Sequence, residues 1–463
     1  MKRLVFGALF VALLASRLCH LGVLWTEENL PLAAAMQMLH SRVLYRDIWF
    51  DKPPLTSAIY LMWGARIGWP LRVAGALVAL GACALVYRFA SRKWSEREGL
   101  LAASLLGFFL IFWIPAAELP LAADSLTLAP HIAAVYFAWR GRPFWSGALA
   151  GVAFLFNTKG LIVLAVCALW QYRALPSLAL GFAAPNAAVL GWLWARGALP
   201  DYWAQVWRLG FLYARTTFLE RPLWTGLTRT VNWAGFHLAL IVGAVWFWLR
   251  GRDSDRERFA AWALFALAGV AAGWRFFPRY YFLLLPVATL AAARGISLMG
   301  KRGAFALLAL IIPLARFGPR YVLLAAGRSA EWSDVAMDRD SRAAARLVLA
   351  QARPGDTLFV WGYRPDLYAY TRLPAAGRFL ESQPLTGVLA DRHLFQSDAL
   401  DPEWARRNRE ELIRTRPTFV VDGLARYNPR LAMEAYPDLA AWLARYTQVA
   451  ATPFTVIYRR TSP

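Results

Sequence analysis

Along much of the chain, apolar residues occupy every side of a helix instead of one stripe. GALVALGACALVYRF (75–89) and HLALIVGAVWFWL (237–249) show this pattern. Such stretches suit hydrocarbon on all faces, so they predict membrane-spanning helices. The hydropathy pattern predicts about eleven spans, near 4–24, 70–90, 98–114, 124–139, 144–157, 159–170, 176–195, 230–249, 259–274, 280–293 and 304–318. Between the first two, ENLPLAAAMQMLHS (28–41) and PPLTSAIYLMWGARIG (53–68) have the periodicity of short amphipathic helices, expected to lie along the membrane surface. LPDYWAQVWRLGFLYARTTF (199–218) carries interfacial aromatics and is expected to do the same.

Beyond about residue 320 the pattern changes. Residues 343–362, 409–423 and 439–460 each read as helix, turn and then a β-branched or aromatic strand. The expectation is a transmembrane unit, 1–318, followed by a small extracytoplasmic α/β domain, 319–463, of some four strands. That second part contains no Gly-rich phosphate loop and no nucleophile elbow, so its expected role is to cover the site or grip an acceptor.

Composition agrees: 59% of the 463 residues are hydrophobic and 15% aromatic. The formal charge of +22 raises nucleic acid as a partner. Most basic residues, however, flank apolar runs, where lipid headgroups account for them, and no nucleic-acid-binding motif is present. Basic clusters at 88–98, 140–143, 171–173, 250–258 and 294–303 follow every second span, as does the MKR start. This bias places the N-terminus in the cytoplasm and the C-terminal domain outside a bacterial-type inner membrane. The N-terminus resembles a signal peptide, but no small-residue cleavage site follows, so it is expected to remain as the first helix. Cys19, Cys83 and Cys167 all fall in predicted spans and form no metal or disulfide spacing. The five histidines likewise form no ligand pattern.

The chain has only five lysines. Lys2, Lys93 and Lys301 lie in the predicted inside loops, whereas Lys52 and Lys159 fall on the opposite side. The same outer edge collects Glu27 and Glu28 (LWTEENL), Tyr45, Arg46, Asp47 and Asp51 (LYRDIWFDKPPL), Glu118 and Asp124 (AAELPLAADSL), and Arg279 with Tyr280 (FPRYYF). Ionised groups at membrane depth are costly and mark substrate paths or paired sites. Plainer roles exist for several of them: Glu27, Glu28 and Asp124 suit helix starts, and Arg279 suits an interfacial anchor.

In order, the acid pair 27–28, the element Lys52-Pro53-Pro54-Leu55, Asp124, Thr158-Lys159-Gly160 and Arg279-Tyr280 resemble the GT-C superfamily of membrane glycosyltransferases. The likeness is to the bacterial family related to protein O-mannosyltransferases and to the aminoarabinose transferases of lipid A, and it covers about residues 1–300. The resemblance implies inverting transfer of a sugar from a polyprenyl-phosphate donor to a lipid, glycan or protein acceptor. It places Glu27, Asp124 and Glu28 as candidate catalytic carboxylates. Lys52, Arg279, Lys159 and Tyr280 are candidates for the donor phosphate, supported by Tyr45, Arg46, Asp47, Asp51 and Glu118. That family has aspartate where this chain has Glu27, so the carboxylate reaches one methylene further. The difference shifts the acceptor pose or passes more of the work to Glu28 or Asp124. No cofactor is expected, because the donor needs no pyrophosphate clamp and no clear ligand set is present; a divalent metal at Asp51 is the alternative.

Other classes are a transporter or flippase, or a non-catalytic membrane scaffold. Transporters tend to show inverted repeats and midplane polar sites; here no repeat is visible and the polar groups gather at one surface.

Overall fold

The structure, a computed structural model, describes residues 1–328 and 332–461. Helices dominate the first part: α1 (Lys2–Leu18), α2 (Thr26–Leu39), α3 (Trp69–Lys93), α4 (Glu96–Phe109), α5 (Ala123–Trp139), α6 (Pro143–Phe156), α7 (Gly160–Trp170), α8 (Leu175–Ala195), α9 (Pro222–Phe236), α10 (Leu238–Arg250), α11 (Arg256–Ala271), α12 (Leu285–Leu298) and α13 (Ile311–Ala325). Every predicted span coincides with a helix or a bent pair. Length is the correction. Among the described residues, two stretches, Trp69–Lys93 and Tyr172–Ala195, are long and apolar enough to cross a bilayer singly. Two bent pairs add to these: α9 and α10 meet at 90°, and Gly300–Leu308 meets α13 at 42°. Helix length alone therefore does not confirm the figure of eleven spans, because breaks at His237 and Ala309–Leu310 divide two of the predicted runs.

The bundle packs through small residues. On Gly181 of α8, a Cβ would sit 2.0 Å from the Phe144 carbonyl oxygen, so only glycine admits this approach of α8 to α6. At one end of the bundle, Lys93 is held between Asp253 (3.1 Å) and Asp255 (2.6 Å), and Arg294 pairs with Glu98. These are the loops carrying the basic clusters. The helices begin at the other end with Glu27, Asp124 and Lys159, so the two polar sets occupy opposite ends, as the alternation of charge predicts.

Residues 333–461 form the α/β part. α14 (Ser333–Leu349) and α15 (Pro402–Ile413) accompany β1 (Leu358–Trp361), β2 (Phe419–Asp422), β3 (Tyr446–Ala451) and β4 (Val456–Arg460). The sheet order is β1-β2-β4-β3, with β1 and β2 parallel and the remaining pairs antiparallel. LFVW and FVVD are buried at every position, as continuous apolar strands covered on both faces must be.

The two parts share one core. Leu30, Tyr45 and Tyr202 pack in the same apolar cluster as Leu358, Leu367 and Ile457. This explains a second correction. α2 is buried at every position from Glu28 to Gln37, so it is not the half-exposed amphipathic helix that its periodicity predicts. The Leu24 N–H before it donates to Asp338 at 2.9 Å, and Gln37 Oε1 accepts the Ala375 N–H at 3.0 Å. The α/β part thus clamps α2 against the bundle.

Candidate functional site

The site is built from five chain breaks at one end of the bundle. At the start of α2, Glu28 reaches back to accept the Trp25 N–H at 3.1 Å. Its carboxylate also accepts the Leu121 N–H (3.2 Å) and pairs with Arg72 at 2.7 Å, and both partners of that ion pair are buried. Glu28, expected among the catalytic carboxylates, is therefore a structural clamp outside the cavity. Arg72→Met, which leaves that carboxylate buried without its cation, is expected to cost about 3–5 kcal/mol, read as a lower melting temperature of the purified protein. Glu27, the adjacent residue on the helix, faces the cavity.

The second break is the loop 43–54. Tyr45 is fully buried with φ 70°, and its hydroxyl donates to the Lys52 carbonyl at 2.8 Å. The Phe50 N–H donates to Gln205 Oε1 at 2.9 Å. Pro53 and Pro54 then force an immediate helical turn at Leu55–Ala58, anchored by Thr56 Oγ1 on the Phe156 carbonyl at 2.7 Å. Lys52 is thereby fixed on a short, rigid corner, with its ammonium 3.3 Å from Asp51.

Asp124 lies in the first turn of α5, whose start is closed by Ser125, not by Asp124 itself. Its Oδ1 accepts from Asn157 Nδ2 at 3.0 Å and lies 3.5 Å from Lys159 Nζ, and its Oδ2 is 3.6 Å from Arg279 Nε. The break between α6 and α7 presents Asn157 and Lys159. It is possible because Gly160 turns against α6, where a Cβ would stand 2.3 Å from the Phe154 nitrogen. The Lys159 ammonium also sits over the Tyr280 ring, 2.9 Å from its centre. In the turn Pro278–Leu283, Arg279 Nη1 binds Glu27 Oε1 at 2.8 Å.

Glu27, Asp51, Lys52, Asp124, Lys159, Arg279 and Tyr280 thus line one cavity of about 510 Å³. Its charges reinforce one another. Burial pushes the Lys52 ammonium down, but Asp51, Tyr363 and Glu27 outweigh it and hold the group above the ordinary lysine range. Burial likewise opposes the Arg279 charge, and Glu27, Tyr280 and Asp124 overcome it. Lys52 and Arg279 therefore remain cations at any physiological pH.

Four of the expected supporting residues lie elsewhere. Arg46 and Asp47 pair with each other at 2.8 Å on the surface, because their turn points away from the cavity. Glu118 is buried beside Arg17, whose Nη2 donates to the Glu118 carbonyl at 3.5 Å. Tyr45 acts through the Lys52 carbonyl and does not face the cavity. Conversely, Tyr213, Tyr363, Gln383 and Asp391 line the cavity without having been singled out in the sequence. Asp391 is bound by the fully buried Arg275 at 2.6 Å. Arg275 had one legible signal: like Arg279, it is an arginine at the end of an apolar run. Among the described residues no group of three or more His, Cys, Asp or Glu side chains gathers to hold a metal, and Glu27 and Asp124 already face cations.

The fold is thus a helical bundle capped by a small α/β unit, with an ionised cavity between them. No protein-family model and no curated protein sequence matches the chain. Solved structures do. The crystal structure of ArnT from Cupriavidus metallidurans bound to undecaprenyl phosphate matches with TM-score 0.61 and 16% identity, over 99% of this chain and 97% of that one. The arabinofuranosyltransferase AftD from Mycobacteria matches with TM-score 0.51 and 15% identity, over 100% of this chain and 40% of that one. The Archaeoglobus fulgidus oligosaccharyltransferase in its apo form matches with TM-score 0.50 and 12% identity, over 94% of this chain and 71% of that one.

Proposed function

We propose that this chain is an inverting glycosyltransferase that moves a sugar from a polyprenyl-phosphate donor to a lipid, glycan or protein acceptor. The reaction takes place at the extracytoplasmic face of a bacterial-type inner membrane. One observation carries the proposal: Glu27, Lys52, Asp124, Lys159 and Arg279, spread over more than 250 residues of sequence, line a single cavity. The likeness to ArnT, whose crystal structure contains undecaprenyl phosphate, supports the donor class.

The chemistry follows from the charges. The acceptor hydroxyl or amine attacks the anomeric carbon, the bond from that carbon to the phosphate oxygen breaks, and the acceptor proton must leave. The lipid phosphate departs with one more negative charge than it carried in the donor. Fixed cations in a largely buried site stabilise that charge, and Lys52 and Arg279 are held ionised to supply it. Glu27 takes the proton. Among the described residues only Arg279 forms an ion pair with it, whereas Asp124 is engaged by Asn157, Lys159 and Arg279. The more heavily engaged Asp124 orients the acceptor and holds the cations in place.

The test uses purified protein with polyprenyl-phosphate sugars and candidate acceptors. Release of free polyprenyl phosphate that depends on the acceptor supports the proposal. No release with any donor, from protein that still binds undecaprenyl phosphate, overturns it.

A further inference from the structure

The segment 383–391 of the α/β part lines the cavity through Gln383, Leu389, Ala390 and Asp391 and is tied at both ends. At one end, Gln383 Nε2 donates to Asp51 Oδ2 at 3.4 Å, and Asp51 Oδ1 in turn pairs with Lys52 at 3.3 Å. Gln383 Oε1 accepts the Ala390 N–H at 2.7 Å, which closes the segment on itself, and the Gln383 N–H donates to the buried Glu381. At the other end, Asp391 takes Arg275 Nε at 2.6 Å and Arg392 Nε at 2.9 Å.

The far anchor is unusually well held. Arg275 is fully buried, its Nη1 donates to the Gly273 carbonyl at 2.9 Å, and its guanidinium lies 3.4 Å from the centre of the Tyr213 ring. Its neighbours Trp274 (φ 55°) and Phe276 (φ 49°) both adopt the left-handed conformation that bulky side chains avoid. Strain of this kind persists only where the surroundings over-determine it, and it gathers at functional sites. The contacts join the α/β part, the 199–215 segment, the α11–α12 connection and the Lys52 corner, across separations of up to 332 residues.

We propose that residues 383–391 form a positioning strap and that Gln383, by orienting Asp51, sets where the Lys52 ammonium stands. This deepens the donor-site reading of Lys52 and rests on it. The α/β part then has a definite role, holding the cation that meets the donor phosphate, with its own anchor at Arg275.

Gln383→Glu isolates the effect. The carboxylate is isosteric and still accepts from Ala390, but it offers Asp51 a second negative charge in place of a donor. Asp51 is repelled and Lys52 is drawn off its position. Two quantities are compared with wild type in the full-length, detergent-solubilised protein: the affinity for undecaprenyl phosphate alone and the melting temperature. The expected result is an affinity about tenfold weaker with an unchanged melting temperature. In transfer assays the donor KM rises by about the same factor and kcat falls as well, because Lys52 also meets the charge that develops on the leaving phosphate. Arg275→Met, which releases the other end, is expected to raise KM in the same sense.

Wild-type affinity and KM in Gln383→Glu overturn the strap and leave the glycosyl-transfer reading standing. A lower melting temperature with unchanged affinity also overturns it, because Gln383 would then be only structural. A wild-type protein that fails to bind undecaprenyl phosphate removes both readings together.

Discussion

Glu27→Gln is expected to lower kcat by about 10²–10⁴-fold, the usual cost of removing a positioned general base. Donor binding should remain close to wild type. The substitution is informative because it is isosteric: the amide oxygen still accepts from Arg279 at the position the carboxylate holds at 2.8 Å. Arg279 therefore stays in place, and with it the contacts to Asp124. What disappears is the capacity to receive the acceptor proton. Single-turnover release of polyprenyl phosphate, with undecaprenyl phosphate binding measured alongside, separates the chemical step from binding. Glu27→Asp should do less harm, since it keeps the base and retracts it by one methylene. A wild-type turnover rate in Glu27→Gln would transfer the base role to Asp124, which alone of the other cavity acids faces both Lys159 and Arg279.

The sequence made the cavity residues legible because the chemistry there breaks local rules. Lys52 and Lys159 lie on the side of the predicted bundle where basic residues are scarce, and the two prolines after Lys52 announce an abrupt helix start. The strands were legible for the opposite reason. FVVD and LFVW obey the local rules for fully buried strands and fold as such. Glu27 and Glu28 could not be separated. Neighbouring residues on a helix point about 100° apart, and only the distant Arg72 decides which one turns inward. The half-exposed setting expected for α2 fails because nothing in its own residues announces Asp338 and Ala375, which cover it from more than three hundred residues away. Gln383 and Asp391 were invisible on the same grounds: a glutamine and an aspartate in a polar loop carry no local signal, and their partners are set by tertiary packing alone. Helix length does not confirm the count of eleven spans, again for a physical reason. Breaks at His237 and Ala309–Leu310 divide two of the predicted runs into bent pairs, so the helices are shorter than the apolar stretches that hydropathy counts.

Lys52→Ala is expected to reduce kcat by about 10²–10³-fold, the range seen when a fixed group that stabilises developing negative charge is removed from a closed site. It should also weaken undecaprenyl phosphate binding. The loss is larger than for an ordinary surface lysine because this ammonium is mostly buried, kept ionised by Asp51 and Glu27, and mounted on a corner fixed by Tyr45 and the two prolines. Its charge persists well beyond neutral pH, so Lys52 contributes no inflection to the rate around neutrality; any inflection there belongs to another group. Lys52→Arg should recover little. The guanidinium keeps the charge but is planar and longer, and cannot occupy the position of a compact ammonium 3.3 Å from Asp51. Removing Asp51 as well tests the geometry further. If Asp51 serves to place Lys52, then Asp51→Asn should raise the donor KM in wild type yet add nothing to Lys52→Ala, a coupling that a double-mutant cycle reads directly. Additive losses would mean that Asp51 meets the substrate on its own account.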